Sequence, residues 1–167
     1  MYRPSPNLVQ RVHKAHRIAA VVAVLSEDGI SASKILSGTG LKVSDLKASA
    51  TRVSYQQVGT VFRNAIQLSK DPAIAFRAGQ RMHIMAYGMY GYALLSSPSR
   101  AEGIDFTTKY SRILGTIADV VFARDEDTAT YALEPLLSRN HNDDIYRFAV
   151  EFAFAALLTL CRDVHGG

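Results

Sequence analysis

The sequence predicts an α+β fold: a predominantly helical single domain over residues 1–167, with one small antiparallel hairpin or sheet near residues 116–134. Three observations carry this. Apolar residues recur at helical spacing through most of the chain, polar capping residues stand where helices should begin, and residues 117–123 switch to β-branched and aromatic types with no helical stripe. The length of 167 residues suits one domain, which buries roughly 70% of its unfolded surface without disulfides or metals. A composition of 48% hydrophobic and 20% charged residues excludes a mostly disordered, collagen-like or low-complexity chain.

The elements follow in order. Residues 1–7 carry two prolines and predict a flexible or extended lead-in. Residues 8–26 predict a first helix on the spacing of Val9, Val12, His16, Ala19, Ala20 and Ala23, stopped by Glu27-Asp28-Gly29. Two short helical pieces, around residues 33–37 and 43–47, flank the turn Gly38-Thr39-Gly40. Ser54 and Gln57 match a capping box, in which hydroxyl and amide satisfy backbone N–H groups that a first turn leaves free. They open a helix over 55–69 whose apolar face is Val58, Phe62, Ala65 and Ile66. Asp71-Pro72 starts the next helix, running to about residue 84. Gly88 and Gly91 allow a bend or a close helix-to-backbone contact, and a short helix with a tight packing face is predicted over 87–95.

Ser99 with Glu102 makes a second capping box, before a helix with Phe106, Tyr110, Ile113 and Leu114 on one face. A hairpin follows from residues 117–123 and 128–133 across the polar turn Arg124-Asp125-Glu126-Asp127, and Pro135 ends it; a third strand joining it has no identifiable position in the sequence. Asn142 or Asp143 caps the last helix. Ile145, Phe148, Phe152, Ala155 and Thr159 share one face there while Val150, Phe154, Leu157 and Cys161 fill another, so burial over most of its surface is predicted.

The net charge of +4 is unevenly placed. Arg3, Arg11, Lys14 and Arg17 are the charged residues before position 18, and the rest of the chain balances. Nucleic acid affinity comes from clustered cations rather than a modest total. This segment reads as a solvated helix start or as an arm touching an acidic partner. Cys161 is a lone thiol in an apolar stretch, no secretory signal is visible, and the most apolar run is too short for a membrane span of about 20 residues. A cytoplasmic protein without membrane partners is expected.

Templates for a P-loop, a dinucleotide fold, a zinc site and a nucleophile elbow all fail. His13 and His16 lack a nearby carboxylate for a metal site, and His141 with Asp143 and Asp144 is explained by a helix N-terminus. No metal and no cofactor are expected. The feature that survives is Arg77, Arg81, His83, Tyr87, Tyr90 and Tyr92. Rings with polar tips beside cations resemble a small-molecule pocket, in which ring faces hold an apolar body and guanidinium groups fix a carboxylate or phosphate. The same residues suit a dimer surface or ordinary packing. An enzyme would need a general base in a cleft, for which His83 is the candidate.

Several stretches carry a resemblance. They are Asp71-Pro72-Ala73-Ile74-Ala75-Phe76-Arg77-Ala78-Gly79, then Tyr87-Gly88-Met89-Tyr90-Gly91-Tyr92-Ala93-Leu94-Leu95-Ser96-Ser97-Pro98-Ser99, then Lys109-Tyr110 ahead of the hairpin. With Asp28-Gly29-Ile30, Ile35-Leu36 and Gly40-Leu41, their order resembles the N-terminal effector domain of AraC/XylS-type transcription regulators, in particular the arabinose-binding-type domain of arginine- and ornithine-responsive members. The resemblance implies a domain that binds a small effector and forms a homodimer, with Arg77, Arg81, His83, Tyr87, Tyr90 and Tyr92 as ligand-binding candidates. It implies DNA contact through a C-terminal pair of helix-turn-helix units, which is not recognisable before Gly166-Gly167. A ligand-free interaction module is the alternative, and an enzyme acting on a small metabolite a third.

Overall fold

The computed structural model describes residues 6–110 and 115–165. Ahead of the first helix, β1 (His13–Lys14) pairs antiparallel with β2 (Arg52–Val53). The first helix, α1, is His16–Glu27 and not the longer span the periodicity predicts. Leu8, Val9 and Val12 are exposed, and the backbone here bonds sideways, Gln56 N–H donating to Leu8 O at 2.8 Å. A helix over residues 8–15 would have had no core to cover, whereas the β1–β2 ladder satisfies its backbone groups.

Two short helices, α2 (Ala32–Ile35) and α3 (Val43–Lys47), lead to α4 (Tyr55–Leu68). The capping box forms as expected: Ser54 Oγ accepts from Gln57 N–H at 3.2 Å, and Gln57 Oε1 accepts from Ser54 N–H at 3.0 Å. The α5 helix is Ile74–Gln80, shorter than predicted, because Asp71 accepts the Ala73 N–H while the chain is still outside the helix. Its far end gives way to a 3-10 turn over Ile84–Tyr87. There His83 is extended and Asp163, from the last helix, accepts the Ile84 N–H at 2.8 Å. A carboxylate 79 positions away thus sets a helix boundary that local sequence could not show.

Both glycine options are realised. Gly88 turns the chain at φ +59, and Gly91 lets α6 (Met89–Leu95) lie against the Ile84 carbonyl so closely that a Cβ would collide with it. The α7 helix is Arg100–Tyr110, with Ser99 accepting the Glu102 N–H at 3.2 Å; Ile113 and Leu114 of its predicted face lie outside the described residues. The hairpin consists of β3 (Ala118–Arg124) and β4 (Ala129–Pro135), in register from Ala118↔Pro135 to Arg124↔Ala129, and Asp125 N–H donates to Thr128 O across the turn. No third strand joins it among the described residues; the other ladder is the separate β1–β2 pair.

The last helix, α8 (Asp144–His165), opens with Asp143 accepting the Ile145 N–H at 3.1 Å. Its predicted inner face is buried throughout, from Ile145 to Thr159. The opposite face is not: Phe154 is 53% exposed and Val150, Leu157 and Cys161 are only partly buried, which corrects the expectation that this face too is buried. The core is centred on Phe62 of α4, whose ring lies 4.5 Å from Phe148 and 5.3 Å from Phe152, with Ile18, Val21 and Leu25 of α1 fully enclosed. On the α5 side, Gly79 brings that helix against the backbone of α8, where an added Cβ would meet Phe152 O and, at 2.7 Å, Ala155 Cβ. The molecule is therefore a helical core with the hairpin laid over one end of α8.

Candidate functional site

The six residues singled out in the sequence separate in space. Arg77 of α5 is an ion-pair clamp: it donates to Asp28 at 2.9 and 3.0 Å and to Asp71 at 2.8 Å, tying α5 to the end of α1. The two carboxylates hold its guanidinium above the usual arginine range, and Arg77 in turn pulls Asp71 below the usual carboxylate range. Arg81 pairs with Glu27 at 2.6 Å on the surface. His83 lies exposed with Nδ1 3.2 Å from Asp163. Tyr92 is 68% exposed, and Met85 and Met89 nearby in sequence are 80% and 81% exposed. Arg81 lines a more open groove beside α1, whereas Tyr87 and Tyr90 line a separate space beside α8 and the hairpin.

That space lies between α8, the hairpin, α6 and α7, with a volume of about 60 Å3. Its walls are mostly apolar, among them Val120, Leu133, Phe152 and Leu160. The sequence analysis missed Arg17, the one cation lining this space among the described residues, which is 4% exposed; the reading of this segment as a solvated helix start does not hold for it. The reason is local. Arg17 directly precedes Ile18, Val21 and Leu25, the buried stripe of α1, and its position in the first turn carries the guanidinium inward beneath Tyr55 and Tyr87. Arg17 Nη1 donates to His16 Nε2 at 2.8 Å.

The titratable groups around it are strongly affected. Burial lowers the Arg17 pKa, opposed by Tyr87 and Tyr55, but an arginine keeps its charge far above neutral pH. Burial, followed by the Arg17 charge, holds His16 at about 3. The neutral ring accepts from Arg17 on Nε2, so its proton is on Nδ1, which is buried without a partner. Burial pushes the Tyr87 and Tyr90 hydroxyls up, so both are protonated at neutral pH. The Tyr90 hydroxyl is buried with Thr107 as its hydrogen-bonding neighbour, and the Thr107 hydroxyl itself donates to Gly103 O at 2.8 Å. Thr116 Oγ1 is buried and unpartnered, while its carbonyl accepts from the Tyr55 hydroxyl at 2.9 Å. The Tyr90 ring is fixed by Phe106 at 4.8 Å and Tyr87 at 6.4 Å.

A second space of about 230 Å3 adjoins the first, sharing Thr107, Leu157 and Leu160, and opens beside α6, α7 and Tyr131 of β4. Cys161 lines it, its thiol pushed up by burial and therefore protonated at neutral pH. Neither space includes Arg77, Arg81, His83 or Tyr92 among its walls. The His13 ring lies tilted against Tyr55 with centroids 4.3 Å apart, and no cluster of three metal-ligating side chains occurs among the described residues.

Comparison with known proteins places this chain in a family. The arabinose-binding domain of AraC transcription regulators, an N-terminal domain, matches residues 29–167, and the chain belongs to that family. An ornithine utilization regulator of Pseudomonas aeruginosa is 28% identical over 110 residues, covering 66% of this chain and 32% of the regulator. HTH-type transcriptional regulators of Mycobacterium bovis and Mycobacterium tuberculosis are each 24% identical over 156 residues, 93% of this chain and 44% of theirs. The chain thus spans less than half the length of these curated relatives. No solved structure matches it significantly. No helix among the described residues is long and apolar enough to cross a membrane.

Proposed function

We propose that this chain is the ligand-sensing and dimerisation domain of a bacterial AraC-type transcription regulator, acting in the cytoplasm as a single domain, with DNA contacted through a separate helix-turn-helix domain. Family membership supports the regulatory role. The observation that carries ligand sensing is the mostly apolar space lined by the buried Arg17 and by Tyr87, Tyr90 and Thr116, since such a space combines shape with a few orienting polar groups. Tyr87 and Tyr90 of the six sequence candidates belong to this site; Arg77, Arg81 and His83 act in this reading by holding α5 and the 3-10 turn in place. A ligand between the hairpin and α8 changes the balance between two arrangements only through contacts that differ between them. The hairpin, packed on α8 from outside, and α6, packed on the 3-10 turn and α7, are the elements able to differ. The change in dimer geometry would then alter the spacing of the attached DNA-reading units.

Calorimetry against a panel of small metabolites, ornithine among them given the name of the Pseudomonas relative, tests this together with sedimentation of the free and bound forms. Binding accompanied by altered self-association is the expected result; no binding and unchanged association would overturn it.

A second reading, a ligand-free pairing module, is favoured by Met85 of the 3-10 turn and Met89 and Tyr92 of α6, three large apolar side chains left exposed. Met89→Asp abolishing a dimer in the absence of any ligand would favour that reading. The third, an enzyme using His83 as a base, gains no support from a side chain that is exposed and lines neither space.

A further inference from the structure

We propose that the groove between α1, α3 and the 3-10 turn receives the acidic turn of the β3–β4 hairpin from a second copy of this chain. The inference rests on the dimerisation part of the reading above, to which it gives a surface, and is independent of which ligand is sensed.

Part of the positive charge near the N-terminus has no role in ligand sensing. Lys14 of β1 stands directly opposite Arg52 of β2 in the ladder. Both side chains are exposed, and like charges placed opposite one another across two strands repel. Lys14 also lines the open groove beside α1, a space of about 430 Å3, together with Lys47 of α3 and Arg81 at the end of α5. Arg81 is paired with Glu27, but Lys14 and Lys47 have no ion pair among the described residues. Arg52 adjoins the same wall, donating to the carbonyls of Ser49 and Thr51, which line it. Among the described residues no Asp or Glu does so. The groove therefore concentrates positive charge that an anionic partner would relieve.

The apolar part of the groove selects the kind of anion. Between the cations lie Ala19 and Ala23 of α1, Leu46, Met82 and Ala86. A nucleic acid backbone meets a protein through phosphates and gains little from such a floor, whereas a protein segment carrying carboxylates beside carbon fits both parts. The chain itself contains a segment of that kind. Asp125, Glu126 and Asp127 follow one another, exposed, at the hairpin turn. With Asp105 of α7 they set four carboxylates against the single cation Arg124, around Ile104 and Phe122. The carboxylates of Glu126 and Asp127 form no hydrogen bond or ion pair among the described residues. Each surface gathers one sign of charge beside apolar atoms, and each supplies what the other lacks. Because such pairs stay close to water, the association they drive is weak and is screened by salt.

Charge reversal with mixing tests the contact. The whole chain is sedimented at about 50 mM and about 500 mM salt, beside a groove variant, Lys14→Glu with Lys47→Glu, and a turn variant, Glu126→Lys with Asp127→Lys. All four side chains are exposed, so both variants should keep the Tm of the parent within a few degrees. The parent should self-associate at low salt and about tenfold more weakly at high salt, and each variant alone should lose at least about tenfold in affinity at low salt. The contact joins two unlike surfaces, so an equal mixture of the two variants should recover a mixed complex that neither forms alone. Unchanged self-association in either variant, or no recovery on mixing, overturns the proposal. Association that survives both reversals but is lost in Met89→Asp moves pairing to α6, and the proposal falls while ligand sensing stands. If the parent instead binds a DNA duplex of about 20 base pairs, the groove variant does not, and neither reversal alters self-association, the cations serve a nucleic acid and the proposal also falls. A parent that stays monomeric at both salt concentrations, with or without a ligand shown to bind by calorimetry, removes the dimerisation reading together with the proposal.

Discussion

Around Phe62, side chains of α1, α4 and α8 close with no measurable exposure, and α5 meets α8 at a glycine with no room for a methyl group. Around Tyr90 the packing is different in kind. Two adjoining spaces remain open, the Thr116 hydroxyl and an imidazole nitrogen of His16 are buried without partners, and large apolar residues such as Met85, Met89 and Val121 face outward. The first region spends its sequence on stability and the second leaves stabilising contacts unmade. Such local deficits are what a binding site offers a ligand, since groups already desolvated and unpaired lose little more when it arrives. The two regions share α8, whose inner face serves the core at Phe148 and the cavity at Phe152 and Leu160.

The largest effect should come from the tight region. Phe62→Ala removes a ring enclosed by Phe148 and Phe152 and should cost about 3–5 kcal/mol in urea denaturation. A loss below about 1 kcal/mol would mean that the core around Phe62 can collapse, and the contrast with the cavity region would disappear. Gly79→Ala adds a Cβ where the backbone of α8 stands, and should cost about 2–3 kcal/mol although alanine is the better helix former. If it stabilises instead, α5 and α8 are free to move apart.

The loose region predicts an acid sensitivity. His16 titrates near 3 when folded and near 6.5 when unfolded, so below pH 6.5 the unfolded chain takes up a proton that the folded chain refuses. Stability contributed by the neutral ring is fully present above pH 6.5 and is lost as pH falls toward 3, by up to about 1.4 kcal/mol per unit. Thermal melts between pH 7 and 4.5 should show this decline, and His16→Gln should flatten it.

The smallest effect is expected at Arg77. Its ion pairs to Asp28 and Asp71 are solvent-accessible, so Arg77→Gln should lower Tm only slightly and leave ligand affinity unchanged. A large loss of affinity would move the site from Tyr90 to α5.

Much of this fold was legible in the sequence, for identifiable reasons. Ser54 with Gln57, Ser99 with Glu102, and Asp143 ahead of Ile145 are local devices that act within three residues, and each forms as the spacing predicts. The hairpin was legible because period and residue type change together at its start. The start of α1 and the end of α5 were not, since a β1–β2 ladder and the distant Asp163 decide them. The candidate site was half legible. Tyr87 and Tyr90 were marked by their company of cations, but the arginines beside them in sequence face Glu27, Asp28 and Asp71.

The sequence by itself determined the α+β class, the capped helices, the hairpin and the inner face of α8, because each depends on interactions among near neighbours or on a periodicity that reads directly as a buried stripe. Tertiary structure alone decided which cation is buried. Arg17 and Arg77 are chemically identical and both occupy helices; carboxylates brought from elsewhere hold Arg77 at the surface, while the packing of α1 carries Arg17 inward beside Tyr55 and Tyr87. The electrostatics of an arginine depend on what surrounds it, and those surroundings are assembled from residues far apart in the chain.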